Sequence, residues 1–127
     1  MGLAYKQLGE TRKAIEFCEQ DLEITRETRD RRGEGAALGN LGMAYADLGE
    51  TRRAIEFYEQ YLVIARETGD HRGEGNALWN TALTLDKLED RAQAMAHADA
   101  ALAIFERIED PNAEMVRVQI AEWRTAS

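Results

Sequence analysis

A forty-residue internal repeat constrains this chain more than any other feature of its sequence. Residues 2–20 read GLAYKQLGETRKAIEFCEQ, and residues 42–60 read GMAYADLGETRRAIEFYEQ. Compared position by position, residues 1–40 and 41–80 are identical at 27 of 40 positions, and a weaker third copy starts at Thr81. A strict period of this length is typical of supersecondary units that stack side by side, because one unit cannot bury its apolar face alone.

Each period is expected to contain two helices. Asp30, Asp70 and Asp110 recur at the same phase, and aspartate is a favoured N-cap. Gly69 suits the position just after a helix, and the Gly49–Glu50 step, like Gly9–Glu10, is expected to divide each unit in the middle. The predicted helices cover residues 1–8, 11–28, 31–48, 51–68, 71–88, 91–108 and 111–124.

Small and large side chains recur at helical spacing within the repeat. Ala14, Ala54 and Ala94 are expected to let the two helices of a unit approach closely. Phe17 and Phe57 are expected to fill the space between units. Every helix is thereby predicted to lie between neighbours, without one central core.

Composition limits the chemistry that the chain can perform. It is 44% hydrophobic and 31% charged with one proline, which favours an all-α fold. The formal charge of -8 argues against a nucleic-acid partner, since such proteins normally present a basic face. Cys18 is the single cysteine, and His71 and His97 have no partners at metal-ligand spacing, so neither a metal nor another cofactor is expected. We predict a cytoplasmic protein with no membrane segment and no enzymatic activity.

The repeated residues resemble the tetratricopeptide repeat (TPR) family, and the 40-residue period resembles its long-repeat branch, found in Pins-type adaptors and bacterial signalling proteins. Departures from the family pattern include Asp21 and Tyr61, where the family usually has alanine. The motif positions that match in the second copy are Leu41, Gly42, Tyr45, Gly49, Ala54, Tyr58 and Leu62.

This resemblance implies a right-handed α-α superhelix, a TPR solenoid forming one domain over residues 1–127. Its predicted divisions are a first repeat at 1–30 that lacks its N-terminal part, repeats at 31–70 and 71–110, and a capping helix at 111–124. The family implies a protein–protein interaction scaffold, whose first helices line a concave groove that binds a peptide. Mapped onto this chain, the groove residues are Gly39, Asn40, Met43, Asp47, Arg72, Asn76, Trp79, Asn80, Leu83, Asp86 and Lys87.

Each of these assignments has a structural alternative. Trp79 could anchor a ligand, as tryptophan often does at interfaces, or pack against the following helix. Gly33 and Gly35 frame one of two GEG triplets, which we interpret as sites of close helix approach. A phosphate loop is disfavoured because no strand precedes them and no lysine-serine ending follows.

The N-terminal repeat suggests a second function. Met1 aligns with Leu41, so the first repeat has no counterpart of residues 31–40. We expect either that the chain is the C-terminal part of a longer array, such as a regulatory fragment of a larger signalling protein, or that another chain covers this end. Self-association into a homo-oligomer through the uncapped end is therefore the alternative to peptide binding.

Overall fold

The computed structural model describes residues 5–126, which form six α-helices and no strand. Successive helices run antiparallel to one another as stacked hairpins, so the all-helical TPR fold is confirmed. The helices are α1 (Tyr5–Glu27), α2 (Arg31–Asp47), α3 (Thr51–Thr68), α4 (His71–Lys87), α5 (Arg91–Arg107) and α6 (Asn112–Ala126). The last five agree with the predicted helices to within two residues at each end.

Aspartate caps and left-handed residues define the joints between helices, as predicted. The carboxylates of Asp30 and Asp70 accept hydrogen bonds from the backbone amides of Gly33 and Gly73, each at 3.0 Å. Gly69, with φ of 69°, ends α3. These caps satisfy amide groups that a helix start leaves without an intrahelical acceptor.

The predicted break at Gly9–Glu10 is wrong, because α1 is one continuous helix from Tyr5 to Glu27. At Gly49 the chain turns back since α2 packs along the whole of α3. Of the described residues, only 5–8 precede this point, about one helical turn, which is too short to pack back along the helix that follows. Continuing the helix through Gly9 costs about 1 kcal/mol relative to alanine. Residues 1–4, where the prediction started this helix, lie outside the described part of the chain.

The apolar core is divided along the length of the solenoid. One cluster, which includes Leu38, Leu41 and Ile64, lies around α2. The other, which includes Phe105 and Trp123, joins α4, α5 and α6. This division agrees with a stack of units in which each helix packs on its neighbours.

Close packing within a unit holds for the second and third repeats but not for the first. Ala54 and Ala94 are fully buried, whereas Ala14 is exposed and Phe17 is 71% exposed. The expectation that Ala14 and Phe17 are packing residues is therefore wrong, because within residues 5–126 no helix covers these two side chains.

The joints between repeats carry the same ion pair. Arg26 Nε lies 3.2 Å from Glu34 Oε2, and forty residues later Arg66 Nε lies 3.1 Å from Glu74 Oε2. Each pair ties the end of a second helix to the start of the next repeat. Among the helices described, none combines the length and hydropathy needed to cross a bilayer.

Candidate functional site

A small groove lies between α2 and α4, and α3 forms its floor. Its volume is about 270 Å³. The middle of α2 provides one wall, the first half of α4 provides the other, and one side chain rises between them from α3. We call this the α2–α4 groove, and its lining residues are Ala36, Gly39, Asn40, Met43, Tyr61, Asn76 and Asn80.

Tyr61 forms the floor because α2 leaves room for its ring. A Cβ atom added at Gly39 would stand 2.7 Å from Cδ2 of Tyr61, closer than carbon atoms pack. Burial, with a smaller effect of Asp70, raises the pKa of Tyr61, while the hydrogen bond with Asn76 lowers it. The net shift is upward, so the hydroxyl stays protonated at neutral pH and stays available for hydrogen bonding.

Amide side chains and one thioether provide the chemistry of the groove walls. Asn76 and Asn80 lie one turn apart on α4, and Asn40 lies across the groove on α2. Each amide can both donate and accept hydrogen bonds, which matches the alternating groups of a peptide main chain. Met43 is 52% exposed and adds a flexible apolar contact. The groove can therefore hold a polar main chain and one apolar side chain.

Comparison with known proteins identifies the repeat. The family model described as tetratricopeptide repeat matches residues 1–67, just over half of the chain. This chain belongs to the tetratricopeptide repeat family. TPR units are non-enzymatic repeats that mediate protein–protein interaction. No curated protein matches the sequence.

Five of the eleven predicted groove residues lie together in this TPR groove. They are Gly39, Asn40, Met43, Asn76 and Asn80. Asp47 lies farther along α2 and, with Asn40 and Met43, lines a second concavity of about 620 Å³ between α1 and α2. Lys87 is exposed at the last residue of α4.

Trp79 belongs to the core, so the packing alternative describes it and its assignment to the groove is wrong. It is 8% exposed, and its ring centroid lies 6.1 Å from that of Trp123 at an interplanar angle of 33°. Leu83 packs against the same core. These two residues share one side of α4 with Asn76 and Asn80. Trp79 and Leu83 lie on the edge of that side nearer α6, while Asn76 and Asn80 lie on the edge nearer α2.

Arg72 and Asp86 are held by ion pairs away from the groove. Arg72 Nε donates to Asp110 Oδ2 at 2.8 Å, which ties the start of α4 to the start of α6. Asp86 Oδ1 accepts from Arg91 Nε at 2.8 Å, across the turn between α4 and α5. These two residues stabilise the joints of the TPR stack.

Sequence reasoning missed Tyr61 as a groove residue. The signal for it was present, since Tyr61 occupies the phase of Ala101 and departs from the alanine that the TPR pattern favours. A large residue at that phase needs a small one opposite, and Gly39 lies opposite. Ala36, one turn before Asn40, was also missed.

Among the described residues, the titratable side chains outside the groove lack the arrangement of a metal site. Within residues 5–126 no group of three or more histidine, cysteine, aspartate or glutamate side chains is placed to hold a metal ion. Cys18 is half-buried, and burial raises the pKa of its thiol, with Asp21 and Glu19 adding to the shift. A thiol with a raised pKa is a poor nucleophile at neutral pH.

Proposed function

We propose that this TPR domain binds a segment of a partner protein in the α2–α4 groove. The observation that supports the proposal is the combination of facing amides with an exposed methionine in one cleft. Amides at Asn40 and Asn80 would hold the main chain of the segment, and Met43 would contact one of its side chains. Membership of the long-repeat branch, with its adaptor and signalling roles, remains a prediction based on the 40-residue period.

The size of the groove favours part of a peptide over a free small molecule. Pockets for cofactors and drug-sized ligands enclose roughly 300–1,000 Å³. A cleft of about 270 Å³ lies below that range and shares Asn40 and Met43 with the neighbouring concavity. It suits one side chain of a longer segment that continues along the surface.

Charge selects among such segments. The formal charge is -1 for residues 1–40, -3 for residues 41–80 and -4 for residues 81–127. A neutral or basic segment would therefore be attracted toward the C-terminal repeats, and an acidic one repelled.

Selection from a random peptide library tests the proposal. The domain is immobilised, the enriched peptides are synthesised, and their affinities are measured by fluorescence polarisation. Asn80→Ala is expected to weaken binding at least tenfold, since it removes hydrogen bonds to the peptide main chain. Gln60→Ala is the matched control, because Gln60 is an exposed carboxamide on α3 outside the groove lining.

Two outcomes would contradict groove binding. Either no peptide is enriched, or enriched peptides bind the Asn80→Ala and wild-type proteins equally well. Circular dichroism establishes that both variants retain their helices, so that loss of binding cannot be loss of the fold.

Self-association through α1 is the second candidate. The specific observation in its favour is the 71% exposure of Phe17, a large aromatic side chain on α1.

A further inference from the structure

One side of α1 is exposed although the same side of α3 and of α5 is buried. Phe17 and Ile24 are 71% and 56% exposed, and Ala14 is exposed on the same side of α1. Forty residues later, Phe57 stacks on Tyr45 of α2 with ring centroids 5.3 Å apart. We call residues Ala14, Phe17, Cys18, Asp21 and Ile24 the α1 face. The equivalent surface of α3 is covered by α2, and the equivalent surface of α5 is covered by α4.

One side of α6 is also exposed, and it is the side that, in α2 and α4, packs against the helix that follows. Residues 111–126 stand forty residues after α4 and eighty after α2, so α6 has the position of a first helix in a repeat. Leu38 and Leu78 are buried in the core clusters, whereas Val118 at the same phase is 49% exposed. Met115 is 50% exposed. We call residues Met115, Val118, Gln119 and Glu122 the α6 face.

We propose that the α6 face of one copy packs on the α1 face of a second copy, so that the chain associates head to tail. The α6 face occupies the repeat positions through which α2 contacts α3 and α4 contacts α5. The α1 face occupies the repeat positions of α3 and α5 in those same two contacts. The helix that covers the α1 face should therefore be the first helix of a repeat, as α2 and α4 are; we call this a first-type helix. Among the described helices, α6 is the first-type helix whose side toward a following helix is exposed.

The internal contacts fix the register of this interface. Ideal Cβ positions at Gly35, Gly39 and Gly42 meet Ile64, Tyr61 and Tyr58, respectively. The residue of α6 equivalent to one of α2 has a number eighty higher, and the residue of α1 equivalent to one of α3 has a number forty lower. Applying these two offsets to the internal contacts gives the expected intermolecular pairs. The pairs are Met115 with Ile24, Gln119 with Asp21, and Glu122 with Cys18.

The sizes of the paired side chains are complementary. In the α2–α3 contact, glycines of the first helix lie opposite tyrosines of the second helix. In the proposed contact the longer side chains, Gln119 and Glu122, belong to the first-type helix. The shorter ones, Asp21 and Cys18, belong to α1. These two layers thus each keep one longer and one shorter partner, which suits close packing.

Met115 and Ile24 supply the apolar centre, and the concavity of about 620 Å³ between α1 and α2 receives the docked helix. The interface joins two different surfaces, so nothing in it limits association to a pair of chains. The concavity shares Asn40 and Met43 with the α2–α4 groove, so a docked copy and a bound peptide would compete for these two residues. Asn76 and Asn80 lie outside the interface, and loss of self-association in the face variants is measured without any peptide, so the two proposals can fail separately.

Sedimentation velocity of the 127-residue protein tests the proposal. The average mass is expected to rise with concentration and to pass twice the 14.3 kDa mass of the chain. Ile24→Asp should block one end and Met115→Asp the other. Each variant alone is expected to associate at least tenfold more weakly than wild type, since an aspartate would be buried against an apolar residue.

An equimolar mixture of the two variants distinguishes this arrangement from others. The Ile24→Asp protein retains the α6 face and the Met115→Asp protein retains the α1 face, so the mixture should form one interface and stop at two chains. Val63→Asp is the matched control and should associate as wild type does. Val63 is an equally exposed apolar residue on α3, outside both faces. Phe17→Ser repeats the α1 test if circular dichroism shows that Ile24→Asp fails to fold.

Three results would overturn head-to-tail association. The first is a wild-type protein that sediments as a monomer at every concentration. Alternatively, Val63→Asp weakens association as much as the two face variants do. The third is self-association of Met115→Asp without self-association of Ile24→Asp, which would indicate contact between two α1 helices.

Discussion

At the residue scale, the helix joints impose a backbone conformation whether or not glycine is present. Gly49 and Gly69 have φ of 82° and 69°, in the left-handed region. Arg29, Glu89 and Glu109 occupy the equivalent joints with φ of 60°, 62° and 56°. For a residue with a Cβ atom, this region costs about 1–2 kcal/mol. Packing on both sides of each joint holds the conformation against that cost.

Replacing Glu89 by glycine is therefore expected to stabilise the protein. Relief of about 1–2 kcal/mol of backbone strain exceeds the loss of about 0.5–1 kcal/mol from the greater freedom of glycine in the unfolded chain. The net gain in the free energy of unfolding should be up to about 1.5 kcal/mol, measured by urea denaturation followed by circular dichroism. Glu89→Ala is the control, since it removes the charge but keeps Cβ. An equal gain in Glu89→Ala would attribute the effect to charge and contradict the strain argument.

At the scale of the helix, α6 closes the C-terminal end of the stack through one aromatic pair. Trp123 is buried against Trp79 of α4. Arg91 lies over the Trp123 ring, with its guanidinium carbon 5.4 Å from the centroid, and its Nη1 donates to the Trp123 carbonyl at 3.3 Å. A single residue of α6 thus contacts both helices of the preceding hairpin.

Trp123→Ala is expected to lower the free energy of unfolding by about 3–5 kcal/mol, because it removes a buried aromatic side chain and leaves a cavity. Trp79→Ala should have a similar effect. The double variant should cost less than the sum of the two by about 0.5–1.5 kcal/mol, the coupling of an aromatic pair. Urea denaturation of the four proteins measures this coupling. Strict additivity would show that the two rings do not interact.

Trp79 also shows where sequence periodicity stops being informative. Helical spacing correctly indicates that Asn76, Trp79, Asn80 and Leu83 share one broad stripe of α4. It cannot state which neighbouring helix covers each edge of that stripe. Which helix covers each edge depends on the position of α6. The contact between Trp79 and Trp123 of α6 joins residues 44 positions apart in the chain. The caps and turns were predictable because they depend on residues within one helical turn, as Asp70 and Gly73 do.

At the scale of the whole molecule, the conformation of the first repeat depends on what lies beside it. The segment LGETR occurs at residues 8–12 and again at 48–52. In the first copy it is continuous helix, and in the second it is a turn between two helices. Identical local sequence with different structure shows that packing of a neighbouring helix decides the outcome, which no local pattern could predict.

Extending the chain at its N-terminus by the ten residues RRGEGAALGN, copied from residues 31–40, is therefore expected to restore the missing hairpin. The added residues would complete a first helix that covers the α1 face. The helix would then break at Gly9, self-association through that face would be lost, and the free energy of unfolding would rise.

Hydrogen exchange at residues 8–12, sedimentation velocity and urea denaturation measure these three effects. The same extension with aspartate at the position copied from Leu38 is the control, and it should restore none of them. A helix that stays continuous through Gly9 in the unmodified extension would contradict the prediction.

The ion pairs at the two joints have a consequence for how such a chain can change length during evolution. Because Arg26–Glu34 and Arg66–Glu74 join successive repeats in the same way, a gene duplication or deletion of forty codons preserves this ion pair at the joint. An insertion or deletion of any other length moves the arginine and the glutamate out of phase, so the ion pair between successive repeats is lost. Unequal crossing-over between the two nearly identical copies shifts the gene by whole periods, so the recombination event that sequence identity favours is also the one that the fold tolerates.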